Sequence, residues 1–293
     1  MPTVFPAFAK INLSLEVIGR RPDGYHELRT VFQTIDLHDR LEIEATATPG
    51  IHLTCDDPTL VCDERNLVVR AAQALQAAGQ TRQGARIHLQ KRIPMQAGLG
   101  GGSSDAAVTL LALRQLWAVN VSDAELHHIA TQLGADVPFF LVGGTALGLG
   151  RGDLIHPLPD AELPSIVLIH PNVSVPTGPV FRRLNAGLTT AAAVRTLAAS
   201  SQADVDWRQA GNDLEAVVFE DFSVVREARD RLRAWGASVA RMSGSGGVVF
   251  GLFADAATSE AARQAGTNAG WRCWVCRAVG REAYTQRLLG SKM

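Results

Sequence analysis

A glycine-rich segment at residues 94–107, PMQAGLGGGSSDAA, constrains the fold of this chain more than any other part of its sequence. Residues 85–93 before it alternate like a strand, and residues 105–117 have the apolar spacing of a helix. Glycines in a strand-to-helix loop let successive backbone N–H groups turn inward around an anion, and the helix N-terminus adds unpaired donors. The segment therefore predicts a phosphate-binding loop rather than a flexible turn.

The glycine run carries two further expectations. We expect a branched side chain at Gly101 or Gly102 to block the phosphate and to reject the backbone conformation that the loop requires. The loop is not a Walker A motif, because no GK[ST] follows it. It also departs from the dinucleotide fingerprint GxGxxG, because Ser103 occupies the sixth position, so a NAD-binding protein is a weak alternative.

The composition predicts a globular chain of two domains. The chain has 293 residues, of which 46% are hydrophobic and 19% are charged, far from the balance of disordered chains. Its 28 Lys and Arg residues oppose 29 Asp and Glu residues, so no overall positive charge attracts nucleic acid or anionic lipid. The segment PLPDAELP at residues 157–164 is the best linker candidate, and we predict domains at residues 1–156 and 165–285.

The chain has no sequence feature of a membrane or secreted protein. Its charge-free stretch at residues 137–150 is shorter than the roughly 17 residues that a spanning helix needs. No basic residue precedes the apolar stretch of the N-terminal segment MPTVFPAFAK, so we expect a cytoplasmic protein with reduced thiols. Cys273 and Cys276 form a CxxC pair, but their segment WRCWVCRAV alternates like a strand, which favours idle thiols over a redox or metal site.

Strands and helices alternate along both predicted domains. Residues 8–19 alternate strictly, which predicts a half-buried strand with Lys10 and Asn12 on its polar face. Ser122 and Glu125 form a capping-box pattern before a helix that ends near Gly134. Further strands are predicted at residues 31–37, 41–45, 51–55, 166–170, 237–243, 248–253 and 271–279, and further helices at 66–78, 222–235 and 255–265.

Five segments together resemble the GHMP kinases, a family of small-molecule kinases. They are FAKINLSLEVIG at 8–19, RPDGYHEL at 21–28, the glycine-rich segment at 94–107, LGADVPFF at 133–140 and RMSGSGGVVF at 241–250. The resemblance implies an α+β fold of two domains, the N-terminal one ribosomal-protein-like and the C-terminal one ferredoxin-like. It also implies an active site in the cleft between them.

The resemblance implies an ATP-dependent phosphorylation in which Mg²⁺ accompanies ATP. Within the family, the segments are similar to members whose substrate is a cytidine diphosphate-linked polyol, 4-diphosphocytidyl-2-C-methyl-D-erythritol, phosphorylated on its 2-hydroxyl in the non-mevalonate route to isoprenoid precursors. Lys10 and Asp136 match the family's catalytic pair. An Asp that accepts the alcohol proton and a Lys that keeps it ionised suit phosphoryl transfer, although alone Lys10 could be a solvated charge and Asp136 a helix cap.

The resemblance also assigns the binding residues. For the substrate, Tyr25 and Phe181 stack on cytosine and His26 bonds its edge, with Phe32 and Thr177 close by. Asn12 lies near the diphosphate or the alcohol, and Gly244 closes the site from the second domain. The cluster SGSGG at 243–247 could alternatively be a plain hairpin turn. For ATP, the loop residues are Pro94, Met95, Gln96, Ala97, Gly98, Leu99, Gly100, Gly101, Gly102, Ser103 and Ser104, with Asn66 and Lys91 as nucleoside contacts.

Several alternatives and gaps remain at this level. The nearest alternative is a GHMP kinase for another alcohol, such as homoserine or mevalonate, and an RNA-binding module is a third class that the balanced charge disfavours. We expect no nucleic-acid or membrane partner and a monomer or weak homodimer. No acidic cluster identifies ligands for Mg²⁺, the segment GNDLE at 211–215 has no assigned role, and residues 184–209 contain no recognisable motif.

Overall fold

A computed structural model describes residues 1–187 and 207–289, which form an α+β fold with two sheets. The elements up to residue 157 are β1 (Thr3–Arg20), β2 (His26–Thr46), β3 (Ile51–Cys55), α1 (Leu67–Ala78), β4 (Gly84–Gln90), α2 (Gly101–Leu116), α3 (Asp123–Leu133), α4 (Val137–Val142), β5 (Thr145–Gly150) and β6 (Leu154–Pro157). The later elements are β7 (Ser165–His170), α5 (Thr177–Gly187), α6 (Glu215–Asp221), α7 (Ser223–Ala234), β8 (Val239–Met242), β9 (Val249–Phe253), α8 (Ala256–Asn268), β10 (Arg272–Cys276) and α9 (Arg281–Leu289).

The first sheet is built around β2, and β1 is paired with it over the whole length of β1. Its other edge is shared by β5 and β4, giving the order β3-β4-β2-β5-β6 with β1 opposite. The sequence predicted two strands, 31–37 and 41–45, where one continuous strand is found. The polar residues between them stay in the ladder because Asp39 is buried, accepting hydrogen bonds from the Arg92 and Ile93 amides.

The second sheet has four antiparallel strands in the order β10-β7-β9-β8. This order, with helices between β7 and β8 and between β9 and β10, is the ferredoxin-like topology that the resemblance implied. Helices α7 and α8 pack on this sheet. The expected α+β fold is confirmed, and the SGSGG segment does connect two antiparallel strands, β8 and β9.

The two sheets share an apolar core. Arg241 on β8 adds a polar link across it, donating from its guanidinium to the Leu13 carbonyl on β1 at 2.6 Å. The apolar side chains buried between the two sheets couple them, because each fully buried aliphatic side chain contributes about 1.5–3 kcal/mol to stability. The core contains Ile11, Leu13, Val31 and Ile35 from the first sheet and Ile166, Leu168, Phe250 and Leu252 from the second.

The expectation that β1 is half-buried is wrong. Lys10, Asn12 and Ser14, on its polar face, are as buried as the apolar residues between them. Two glycine-rich loops cover that face: the Gly98 carbonyl accepts the Lys10 ammonium and the Ser243 hydroxyl accepts the Asn12 amide, in place of water. A polar face that alternates like a solvated strand is here the floor of a cleft.

Helix α2 begins four residues earlier than predicted, at Gly101. The expectation that Gly101 and Gly102 need a conformation closed to other residues is therefore wrong, because both lie in the helix. The left-handed positions of the loop are Gln96 (φ +51°), Gly98 (φ +76°) and Gly100 (φ +69°). The capping box of α3 is confirmed: Ser122 accepts a hydrogen bond from the Glu125 amide, and the Glu125 carboxylate accepts one from the Ser122 amide.

Helix α9 follows the second sheet along the chain but packs against the first sheet and its helices, which the sequence did not predict. Its Tyr284 is buried there and donates a hydrogen bond from its hydroxyl to the Phe140 carbonyl on α4 at 2.5 Å. Arg281 donates to the Thr145 and Leu158 carbonyls. The other elements missed were α4, β5, β6, α5 and α6, all short or containing glycine, where periodicity is a weak signal.

The strand predicted around the CxxC pair is confirmed. All four cysteines are free, and the CxxC pair lies on β10. Burial raises the pKa of the Cys273 thiol to about 11 and that of Cys276 further, so neither forms the reactive thiolate at neutral pH. Among residues 1–187 and 207–289, no helix is both long and apolar enough to cross a membrane.

Gly98 is the glycine whose replacement tests this fold most sharply. We expect Gly98→Ala to lower the melting temperature well beyond Gly270→Ala. Gly270 shares the left-handed conformation (φ +85°) but has open space around it, so only the backbone strain of roughly 1–2 kcal/mol applies. At Gly98 a Cβ atom would also lie 2.0 Å from the Ser243 carbonyl oxygen. Equal melting temperatures for the two variants would contradict the close packing described here.

Candidate active site

A cavity of about 870 Å³ opens between the two sheets, and nearly all the residues that the sequence singled out line it. Leu99 and Ser104 do not line it. The Leu99 side chain packs in the core between the sheets, and Ser104 is fully buried. The predicted residues that line the cavity are Lys10, Asn12, Tyr25, His26, Phe32, Asn66, Lys91, Pro94, Met95, Gln96, Ala97, Gly98, Gly100, Gly101, Gly102, Ser103, Asp136, Thr177, Phe181 and Gly244.

Two glycine loops interlock at the centre of the cavity. The first glycine loop is residues 94–100, and the second glycine loop is Ser243–Gly247. The Ser243 hydroxyl donates to the Gly98 carbonyl at 2.8 Å, and the Val248 amide donates to the Ala97 carbonyl at 3.1 Å. A Cβ atom at Gly244 would lie 3.2 Å from Gly98 Cα, so only glycine allows the backbones to approach this closely.

Lys10 lies where the two glycine loops meet β1. Its side chain is only 3% exposed, and its Nζ donates to Asn12 Oδ1 at 2.7 Å and to the Gly98 carbonyl at 2.8 Å. Asp136 Oδ2 lies 3.5 Å from the same Nζ. Burial lowers the pKa of Lys10, and the charge and hydrogen bonding of Asp136 partly oppose this effect. The site thus holds an ammonium group away from water beside one carboxylate.

Asp136 stands at the N-terminus of α4 without acting as its cap. Its side chain makes no capping hydrogen bond, so the structural role that the sequence allowed is not realised. One third of the carboxylate surface is exposed to the cavity. The helix behind it is fixed by ring packing, since the Phe139 and Phe32 centroids lie 4.8 Å apart. Asp136 is therefore a carboxylate held in position with its charge facing open space.

Asn12 uses both ends of its amide group inside the site. Its Oδ1 accepts the Lys10 ammonium, and its Nδ2 donates to Thr30 Oγ1 at 2.7 Å. Thr30 in turn donates to the Ser14 carbonyl at 2.6 Å. This chain fixes the amide orientation, so Asn12 presents its acceptor to Lys10.

One end of the cavity suits a nucleoside triphosphate. The N-terminus of the 16-residue helix α2 follows the first glycine loop and faces the cavity through Gly101, Gly102 and Ser103, where helix amides lack intrahelical partners. Asn66 caps α1 and donates to the Val61 carbonyl. It therefore shapes the cavity by holding the segment that carries Val61. Exposed Val61 and Met95 add apolar surface for a base.

Lys91 is more constrained than the sequence suggested. Its ammonium is paired with Asp39 and lies 3.0 Å from Asp105 Oδ2, with all three side chains buried. Burial disfavours the charge of Lys91, but the two carboxylates outweigh this effect and raise the pKa of Lys91, while burial raises the pKa of Asp105. The ammonium thus already has two partners, and Lys91 lines the cavity as part of a charged cluster.

The opposite end of the cavity is aromatic. The His26 and Phe181 rings pack against each other with centroids 5.0 Å apart, while Tyr25 is 56% exposed. The Arg151 guanidinium lies over the Tyr25 ring, 5.1 Å from its centroid. Thr177, at the start of α5, lies within hydrogen-bonding distance of Ser245 on the second glycine loop, with 2.7 Å between the hydroxyl oxygens. This end offers ring faces and polar edges to a planar ligand.

Sequence reasoning did not name Arg151 and Asp105, which line the cavity, or Ser243, whose hydroxyl bonds the first glycine loop beside it. Arg151 stands between two glycines with positive φ, Gly150 and Gly152, and a charged residue in such a turn was an available signal. Ser243 belongs to a segment that the sequence singled out, but only Gly244 was named there. Asp105 had no signal, because inside a helical pattern it looks like an ordinary surface carboxylate.

Lys10 offers a direct test of the charge arrangement. We expect Asp136→Asn to lower the pKa of Lys10 below its wild-type value, because burial remains while the opposing charge is lost. The sequence contains only three lysines, Lys10, Lys91 and Lys292, so ¹³C-labelled lysine gives a resolvable NMR titration. Lys91, whose partners are untouched, is the internal control. An unchanged or raised pKa of Lys10 would contradict the described contact.

Known proteins share both the sequence and the fold of this chain. Residues 66–144 match the profile of the GHMP kinases N terminal domain, and residues 188–271 match that of the GHMP kinases C terminal. The 4-diphosphocytidyl-2-C-methyl-D-erythritol kinase of Pelotomaculum thermopropionicum is 46% identical over 263 residues, 88% of this chain and 90% of that protein.

Solved structures agree with the sequence comparison. A crystal structure of 4-(cytidine 5'-diphospho)-2C-methyl-D-erythritol kinase superposes with a TM-score of 0.78 and 38% identity, covering 95% of this chain and all of the other. Homoserine kinase from Cytophaga hutchinsonii, at 22% identity, a TM-score of 0.65 and 94% coverage of both chains, shares the fold alone. The chain belongs to the GHMP kinase family, in the branch of the 4-diphosphocytidyl-2-C-methyl-D-erythritol kinases.

Proposed function

We propose that this chain transfers the γ-phosphoryl group of ATP to the 2-hydroxyl of 4-diphosphocytidyl-2-C-methyl-D-erythritol, in the non-mevalonate route to isoprenoid precursors. The observation that carries the proposal is the buried Lys10 ammonium, 3.5 Å from the Asp136 carboxylate, between a glycine loop and an aromatic wall. Phosphoryl transfer needs mainly positioning and charge stabilisation, and this contact supplies both.

The proposed reaction has one covalent step. The 2-hydroxyl oxygen attacks the γ-phosphorus, the bond to the β–γ bridging oxygen breaks, and ADP leaves. Asp136 accepts the hydroxyl proton, and the Lys10 ammonium stabilises the negative charge that develops on the alcohol oxygen. Gly98 and Asn12 keep the ammonium directed at this point, because each accepts one of its hydrogen bonds.

We propose that ATP binds along the first glycine loop with its phosphates at the N-terminus of α2. Mg²⁺ reaches the site with ATP and neutralises charge on its phosphate oxygens. In the described ranges, 1–187 and 207–289, no group of three His, Cys, Asp or Glu side chains could hold a metal ion by itself.

Cytosine specificity is assigned to the aromatic end. We propose that the base stacks between Tyr25 and Phe181, that His26 reads its polar edge, and that Phe32, Thr177 and Gly244 border the remainder of the substrate. Stacking recognises the ring face, whereas hydrogen bonds to the base edge distinguish cytosine from other bases. Homoserine and mevalonate have no ring to occupy this end.

The remaining features of the proposal concern the whole chain. Residues 1–156 and 165–285 act as two domains that enclose the site. The enzyme works in the cytoplasm as a monomer or weak homodimer, without nucleic acid or membrane. The charge balance and the absence of a basic stripe support the statement on nucleic acid.

An ADP-release assay tests the function. We expect ATP-dependent turnover with 4-diphosphocytidyl-2-C-methyl-D-erythritol and none above background with homoserine or mevalonate. Tyr25→Ala or Phe181→Ala should raise KM for this substrate about 5- to 150-fold, matching about 1–3 kcal/mol of stacking, and leave KM for ATP unchanged.

The matched control is Tyr25→Phe, which keeps the stacking ring and should stay near wild type. Faster turnover of homoserine or mevalonate would overturn the substrate assignment. A shift in the ATP constant alone would move the two aromatics into the adenine pocket.

A further inference from the structure

The GNDLE segment, Gly211–Glu215, lies directly beneath the second glycine loop. The Asn212 side chain is 5% exposed and uses both amide protons: Nδ2 donates to the Met242 carbonyl at the end of β8 at 2.9 Å and to the Gly244 carbonyl of this loop at 2.8 Å. Its Oδ1 accepts the Leu214 amide at 3.0 Å, which fixes the orientation of the amide group. Asn212 therefore uses its two amide protons to hold the end of β8 and the second glycine loop.

The same segment is fixed to the strand that carries Lys10. The Leu15 amide donates to the Gly211 carbonyl, and the Asp213 amide donates to the Leu15 carbonyl, each at 2.9 Å. The Asp213 carboxylate also accepts the Val17 amide at 2.8 Å. The segment around Asn212 is thus bonded to β1 at Leu15, five residues after Lys10 on the same strand.

The loop that Asn212 holds is one contact away from the Lys10 ammonium. The Ser243 hydroxyl donates to the Gly98 carbonyl and accepts the Asn12 amide at 3.3 Å. The Gly98 carbonyl also accepts the Lys10 ammonium. A displacement of the second glycine loop therefore reaches Lys10 through a single carbonyl group.

We propose that Asn212 is a positioning residue of the phosphoryl transfer. It holds the second glycine loop against Gly98, and this contact keeps the Lys10 ammonium in place beside Asp136. The inference rests on the proposed function. It predicts that the orientation of the Asn212 amide, and not only the volume that it fills, controls turnover.

Asn212→Asp separates these two roles. The shape and the bond to the Leu214 amide are kept, but an oxygen then faces two carbonyl oxygens. We expect kcat to fall at least tenfold, while KM for each substrate changes less than threefold. The matched control is Asn172→Asp, the same substitution at an exposed amide that donates to the Gly270 carbonyl outside the cavity, which should leave kcat unchanged.

Hydrogen exchange provides a readout that does not require activity. The Val248 and Lys10 amides, which donate to the Ala97 and Leu99 carbonyls, should exchange at least tenfold faster in Asn212→Asp than in wild type or the control. If wild type shows no kinase activity, the proposed function fails, and this measurement still decides whether Asn212 holds the loop.

Two results would overturn the inference. The first is a kcat within twofold of the control, and the second is a rise in KM with kcat unchanged, which would mean that the loop holds a ligand instead of the reacting groups. If Asn212→Asp does not fold, the smaller and uncharged Asn212→Ser tests the loss of both amide donors, and the same tenfold loss of kcat and faster exchange of the Val248 and Lys10 amides are expected.

Discussion

The carbonyl oxygen of Gly98 accepts the two hydrogen bonds on which the rest of the site depends. One comes from the Lys10 ammonium on β1 and the other from the Ser243 hydroxyl between β8 and β9. Gly98 can present this oxygen to both because its left-handed backbone lets the two glycine loops touch, where a Cβ atom would clash with Ser243. A single peptide group thus joins the first sheet, the second sheet and the Lys10 ammonium.

This arrangement explains how a charged side chain is kept in the interior. Removing an ammonium from water is costly unless hydrogen bonds and an opposite charge compensate for it. Lys10 receives both, from Asn12, Gly98 and Asp136. The Asp136 carboxylate stays partly exposed, so the pair has one protected and one accessible member. A phosphoryl acceptor can approach the accessible member while the protected one remains fixed.

The sequence predicted the parts of this site better than their connections. Phosphate chemistry was indicated by the glycine run, Lys10 and the GADVP segment. The ferredoxin-like strand order was implied by the resemblance. The burial of the polar face of β1 could not be predicted, because the loops that cover it come from residues about 90 and 230 positions away. Lys91 looked available for binding ATP because its partners, Asp39 and Asp105, come from other elements. Helix α9 has no strong periodicity, so the sequence did not show that it packs against the first sheet.

The central claim is that Lys10 and Asp136 act as one unit on the same alcohol oxygen. Steady-state kinetics on Lys10→Met, Asp136→Asn and the double variant test it most directly. Each single change should lower kcat by roughly 10²–10⁴-fold with both ligands still bound, and the double variant should be little worse than either. Losses that multiply in the double variant, or an Asp136→Asn enzyme with near-native kcat, would contradict the account.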